Sequence, residues 1–125
     1  MSFVPRALLR RLYRKGSLRK TPEGIAFDLK NILGPGILTG VNFIKLNDTT
    51  YQADKIKIDT NGKRIHTDRI SPENPVLFTF GQKGTCLLLG REGLIEGKNN
   101  ISFELLSREA GLIQVTVSDT IQPDS

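Results

Sequence analysis

Apolar and polar positions alternate most regularly between Val76 and Arg108, where the pattern predicts three successive β-strands joined by two glycine-punctuated turns. Val76, Phe78 and Phe80 alternate with Leu77, Thr79 and Gly81, and Gly81 and Gly84 bracket a tight reversal. Cys86, Leu88 and Leu89 continue as a return strand buried on both sides, so the expectation is a hairpin. Gly90, Gly93 and Gly97 then frame a short crossing loop into which Leu94 tucks, and Ile101, Phe103 and Leu105 face a core while Glu104 faces water. A loop of this kind, between an alternating strand and the one before it, is common where a chain passes between the sheets of immunoglobulin-like sandwiches.

The rest of the chain extends the same reading. Ile25, Phe27 and Leu29 alternate with Ala26, Asp28 and Lys30 after the Pro22-Glu23-Gly24 turn. Val41, Phe43, Ile44 and Leu46 make a further strand that ends at the turn-forming Asn47-Asp48. Ile56 and Ile58 lead into Asn61-Gly62, the strongest hairpin signal present, because a type I′ turn needs positive φ at both central residues, and Ile65 and Thr67 continue the return strand. Leu112, Ile113, Val115 and Val117 form the last strand after the Glu109-Ala110-Gly111 turn, and 122–125 is a polar tail. The expected fold is all-β: one antiparallel, immunoglobulin-like β-sandwich domain over 1–125, of about eight strands.

Residues 1–20 form a basic N-terminal arm or first strand. Phe3, Leu8, Leu9, Leu12 and Tyr13 fit an apolar stripe on a short helix with Arg6, Arg10 and Arg14 opposite, and the same letters permit a strand. Pro5 favours a start there, and Gly16 ends whatever forms. Charge sharpens the picture. The net charge of +5 is the sum of +7 over the first 20 residues and −2 over the remaining 105, so the basic character belongs to the arm and a uniformly basic nucleic-acid domain is excluded. Arg6, Arg10, Arg11, Arg14, Lys15 and Arg19 are therefore the candidate anion-binding residues, for a nucleic-acid backbone or an anionic lipid surface. The alternative is an edge strand whose cations discourage pairing with other chains.

Leu33-Gly34-Pro35-Gly36 must be a loop, and its apolar flank is unusual for one exposed to water. Either it lies across the open end of the sandwich or it is presented to another chain, which makes Leu33, Pro35, Ile37 and Leu38 the candidate partner-binding residues. The lone Cys86 sits among apolar neighbours and is expected to pack, which suits a reducing, cytoplasmic setting, and no apolar run is long enough for a transmembrane helix. Chemistry is sparse. One histidine and one cysteine cannot make a zinc site, the carboxylates lack calcium-loop spacing, and Gly90, Gly93 and Gly97 precede a strand, so no helix N-terminus stands ready for a phosphate. The lack of Trp weakens any stacking platform. His66 and Asp68, placed two apart on a presumed strand, would share a face and are the one acid–base pair on offer, with Lys63 or Arg64 in support. This reading assigns no catalytic residue, no metal ligand and no cofactor.

Three segments carry a wider resemblance: GSLRKTPEGIAFDLKN at 16–31, ENPVLFTFGQKGTCLLL at 73–89 and GLIEGKNNISFELLSREAGLIQVTVSDTI at 93–121. They resemble a group of short prokaryotic β-sandwich proteins, some of which carry the label hydroxymethylglutaryl-CoA reductase. That enzyme's nicotinamide site and catalytic acids have no counterpart among these residues, so the sequence reading sets the label aside. More distantly, the strand order and the glycine pattern from Phe78 to Gly97 are similar to the β subunit of C-glycoside deglycosidases. That resemblance implies a small sandwich that binds a larger metal-dependent barrel subunit and supports its active site. Leu33-Gly34-Pro35-Gly36 replaces the aromatic-rich loop of those subunits, so the resemblance extends to the scaffold and not to sugar contact. The function expected is a non-catalytic accessory or binding subunit working through a protein partner or another copy of the chain. The alternatives are a module for anionic surfaces and a small enzyme using His66 and Asp68.

Overall fold

A computed structural model describes residues 5–121. In chain order the elements are α1 (Arg6–Arg10), β1 (Arg19–Thr21), β2 (Gly24–Lys30), β3 (Ile37–Leu46), β4 (Thr49–Gln52), β5 (Ile56–Thr60), β6 (Lys63–His66), β7 (Val76–Leu77), β8 (Lys83–Leu89), β9 (Lys98–Ser107) and β10 (Gly111–Thr120). One sheet has the order β1-β2-β8-β5-β6; the other has β10-β9-β3-β4, with β7 beside the start of β3. Neighbouring strands pair antiparallel throughout. The architecture is the expected all-β sandwich with a short N-terminal helix, and ten strands stand where about eight were read.

Alternation explains how the layers face each other. Ile25, Phe27 and Leu29 on β2, Ile56 and Ile58 on β5, and Cys86 and Leu88 on β8 turn inward from one sheet to meet Val41, Ile44, Ile101, Phe103, Leu105, Ile113 and Val115 of the other. Phe27 stacks on Phe103 with ring centroids 5.9 Å apart, and Tyr13 lies 5.3 Å from Phe27. Asn61 and Gly62 have φ of 52° and 74°, the left-handed pair that a type I′ hairpin requires. The 90–97 loop carries the chain from β8 in one sheet to β9 in the other and packs Leu94 against the core.

Three expectations are corrected. Residues 76–89 are not a hairpin: β7 pairs with Ile37 and Leu38 in one sheet, while β8 lies at the centre of the other. Both edges of β8 are taken by β2 and β5, so no place beside it remains for 76–80, whose alternation suited a strand equally well. Thr67 does not extend β6. Its side chain is buried and its hydroxyl faces the carbonyls of Ala53 and Ile56 at 2.8 and 2.9 Å, which draws Thr67–Arg69 into a 3-10 turn. That turn also takes Asp68 off the strand that ends at His66; both side chains are exposed, and no hydrogen bond or ion pair joins them among the described residues. Finally, β4 was not anticipated as a strand, although Thr49-Thr50-Tyr51 has the β-branched and aromatic make-up of one and Tyr51 is buried, and the first strand allowed for within 1–20 begins only at Arg19, as β1.

The arm is part of the body. Pro5 precedes the helix and Arg6–Arg10 forms it; Phe3 and the 122–125 tail lie outside the described residues. Leu12, Tyr13 and Leu18 are buried in the core. The Leu12 carbonyl accepts the Lys30 N–H at 2.9 Å and the Arg14 N–H donates to the Asp28 carbonyl at 3.0 Å, so the arm pairs with the half of β2 that β1 leaves open. On the opposite side the Asp119 carboxylate, near the end of β10, accepts from the Tyr13 hydroxyl at 2.7 Å and the Gly16 N–H at 2.8 Å. Burial, then the Asp119 carboxylate, push the Tyr13 phenol well above its ordinary value.

The two ends of the sandwich are built differently. At the end where β3 turns into β4, Asn99 is fully buried: its amide donates to the carbonyls of Ile95 and Gly97, both at 3.0 Å, and accepts from the Ile95 N–H at 3.0 Å and from Asn47 at 2.8 Å. Asn47 also donates to the Gly93 carbonyl at 2.6 Å, and the Tyr51 hydroxyl donates to the Glu92 carbonyl at 2.7 Å. The 90–97 loop is thus sewn onto this end by side chains. At the other end the loops 31–36, 78–82 and 108–110 meet, and there the core opens.

Candidate functional site

At the open end Asn31 positions the walls. Its amide nitrogen donates to the carbonyls of Gly34 at 2.7 Å and Phe78 at 2.6 Å, and its carbonyl oxygen accepts the Leu33 N–H at 3.0 Å. Its main chain pairs with Gly81 and Gln82, at 2.7 and 3.0 Å, so one buried asparagine ties the 31–36 loop to the 78–82 crossing. Gly36 completes the junction, because a Cβ there would stand 2.9 Å from the Phe78 carbonyl oxygen. The walls enclose a mostly apolar cavity of about 450 Å³. Leu12, Leu29, Leu105 and Ile113 form its floor from the core, and Leu33, Pro35, Ile37, Leu38 and Phe78 stand around it.

All four candidate partner-binding residues, Leu33, Pro35, Ile37 and Leu38, are therefore brought to one opening. Close to these residues in the fold stand two exposed apolar side chains: Leu77, 63% exposed opposite Ile37 in the ladder, and Phe80, 66% exposed in the turn that Asn31 holds. Their signal was present in the sequence, since 76–80 is apolar on both faces of a would-be strand and a half-buried strand needs only one. One carboxylate sits at the mouth. Glu109 accepts the Ile37 N–H at 2.9 Å, and that hydrogen bond holds its carboxyl below the usual carboxylate range.

The candidate anion-binding residues do not converge. Arg19 pairs with Asp28 at 3.1 Å and donates to the Ser17 carbonyl. Arg6 and Arg10 border the outer face of the second sheet near Glu104 and Gln114, while Arg10 and Lys15 flank Asn100 and Thr116. Arg11 is exposed, and Arg14 alone turns to a separate polar groove across the first sheet. Burial pushes the Cys86 thiol up to about 12, which leaves it a packing group. Among the described residues no group of three or more His, Cys, Asp or Glu is placed to hold a metal ion, and no helix is long and apolar enough to cross a membrane.

The arrangement at the open end can accept apolar groups, with Glu109 as the carboxylate at its mouth and the Asn31 side chain bonded to the loops. No curated protein matches the chain. A family model described as hydroxymethylglutaryl-CoA reductase, N-terminal domain, matches residues 8–122, which takes in the end of the helix, the rest of the arm and every strand of both sheets. On that match, the chain belongs to the hydroxymethylglutaryl-CoA reductase N-terminal domain family.

Proposed function

We propose that the protein is a non-catalytic accessory subunit, an immunoglobulin-like sandwich that docks a larger protein through its open apolar end. The observation that carries this reading is the convergence of Leu33, Pro35, Ile37 and Leu38 on one cavity, with the exposed Leu77 opposite Ile37 in the ladder and the exposed Phe80 next to Gly81, whose N–H Asn31 holds. An apolar patch that continues beyond its cavity suits a protein surface better than a small ligand, which would need only the cavity. The small-enzyme alternative is the weaker reading, since His66 ends β6, Asp68 lies in the turn after it, and no hydrogen bond joins them among the described residues. The finer proposal, from the deglycosidase resemblance, is that the partner is a metal-dependent barrel acting on carbohydrate, in the cytoplasm.

Co-expression with the products of neighbouring genes, followed by size exclusion with light scattering, tests the reading. The expected result is a stable hetero-complex that Leu33→Asp with Ile37→Asp abolishes while the circular dichroism spectrum stays β-type. A strict monomer with every neighbour overturns it. Retention of full C-glycoside cleavage by the partner alone would remove the finer proposal and leave the docking role.

A further inference from the structure

The groove to which Arg14 turns lies at the open-end half of the first sheet's outer face and encloses about 650 Å³. Segments far apart in the chain supply its walls: Arg14 from the arm, Asp28 on β2, Asp59 to Arg64 around the β5–β6 hairpin, and Lys83 to Thr85 on β8. Its two acids are already matched. Asp28 accepts from Arg19 at 3.1 Å and from the Thr85 hydroxyl at 2.8 Å. Asp59 takes a two-pronged contact from Arg64, at 2.8 and 2.9 Å, and Arg64 reaches on to Glu23 at 2.7 Å. Those pairs leave Arg14, Lys63 and Lys83 lining the groove with no side-chain partner among the described residues. Lys30 stands directly opposite Lys83 in the β2–β8 ladder.

Two like charges at opposed ladder positions repel, at a cost to folding. This cost is carried by a body whose charge beyond the first 20 residues is −2, so the local excess of cations runs against the general balance. The main chain at Arg14 is fixed beside β2, because its N–H donates to the Asp28 carbonyl at 3.0 Å, and this sets where the side chain starts. Neighbouring strands lie about 4.8 Å apart, so Arg14, Lys30 and Lys83, set on the arm, β2 and β8, form a row across three adjacent segments, with Lys63 lining the groove from the hairpin beyond β5, and one phosphate is too short to meet this row whereas a chain of phosphates can follow it.

We infer that this groove is a binding site for a small polyphosphorylated ligand, held by Arg14, Lys30, Lys63 and Lys83. The inference is independent of the docking role. It also differs from the anion-binding set expected of the arm, with which it shares Arg14 alone.

The probe is inorganic tripolyphosphate, followed by calorimetric titration and thermal unfolding in sodium chloride of matched ionic strength, with sulfate as a second control. Tripolyphosphate is expected to bind and to raise the unfolding midpoint more than either control. Lys63→Gln with Lys83→Gln should weaken that binding at least tenfold, whereas Arg6→Gln with Arg10→Gln and Arg11→Gln should leave it within twofold. Because Lys83→Gln removes a repulsion, its ligand-free midpoint should equal or exceed that of the unaltered protein, which separates loss of the site from loss of the fold. A midpoint shift no larger than that in sodium chloride, or binding unaffected by Lys63→Gln with Lys83→Gln, overturns the inference.

Discussion

The two ends of the sandwich use the same kind of residue to opposite effect. At the closed end Asn99 and Asn47 draw the 90–97 loop down until the core is covered; at the open end Asn31 ties the 31–36 and 78–82 loops to each other beside the opening, as the walls of a cavity. What separates them is the destination of the asparagine's hydrogen bonds. Asn99 and Asn47 bond to a single loop that crosses over the end, whereas Asn31 bonds to two loops that flank it. A buried amide is thus a tool for placing backbone, and the loop it reaches determines whether an end is sealed or left accessible.

Glycine substitutions should widen this contrast most. Gly93 has φ +88°, and a Cβ there would lie 2.5 Å from Thr49 Oγ1 and 2.7 Å from the Leu46 carbonyl oxygen. Gly93→Ala is expected to cost about 4 kcal/mol in urea unfolding, from left-handed strain and overpacking together. Gly34, with φ +141° but nothing within 4 Å of a Cβ, should lose only about 1 kcal/mol on the same change. Equal losses would mean that the closed end is not the tighter one.

Next in size are the asparagines. Asn99→Ala leaves the Ile95 amide and carbonyl, the Gly97 carbonyl and the Asn47 amide without their partner, and about 3 kcal/mol is expected; Asn31→Ala should cost about 2 kcal/mol. The second change carries a further signature: by freeing the walls of the cavity it should weaken partner capture, an effect that Asn99→Ala at the far end should not produce. Pull-down of the co-expressed partner with each variant checks this.

The smallest effect concerns acid. The folded-state value of Glu109 is lowered from an ordinary 4.5, chiefly by the Ile37 N–H. A carboxylate lowered on folding stabilises fully above its unfolded value, and that contribution is lost as pH falls through the folded one. Glu109→Gln should therefore flatten the decline of stability below pH 4.5 and change little at neutrality, as followed by unfolding midpoint against pH. An unchanged decline would show that the Ile37 contact does not discriminate between the two protonation states.

Local signals carried the reading of sequence a long way where one strand and its own turn were concerned. Asn61-Gly62 specifies its hairpin by backbone conformation alone, Ile101, Phe103 and Leu105 find the core because side chains alternate with period two, and Pro5 precedes the helix, although that helix ends at Arg10, well before Gly16. The apolar flank of the 31–36 loop was legible too, and with it the four residues of the candidate site, since a loop that cannot be regular and should not be apolar is conspicuous in one dimension.

What the residues alone determined was the all-β class, most of the strands, and the residue types available at each end. Only the tertiary structure decided that 76–77 and 83–89 part company into different sheets, that the basic arm is sewn into the body by Asp119, and that Arg14, Lys63 and Lys83 line one groove with Lys30 opposite Lys83 in the ladder. The physical reason is the same in each case. Strand alternation and turn conformation are set by neighbours in sequence, but strand pairing, buried polar bonds and the meeting of charges depend on which distant segment occupies the adjoining place. For Tyr13 and Asp119 that partner lies 106 residues away.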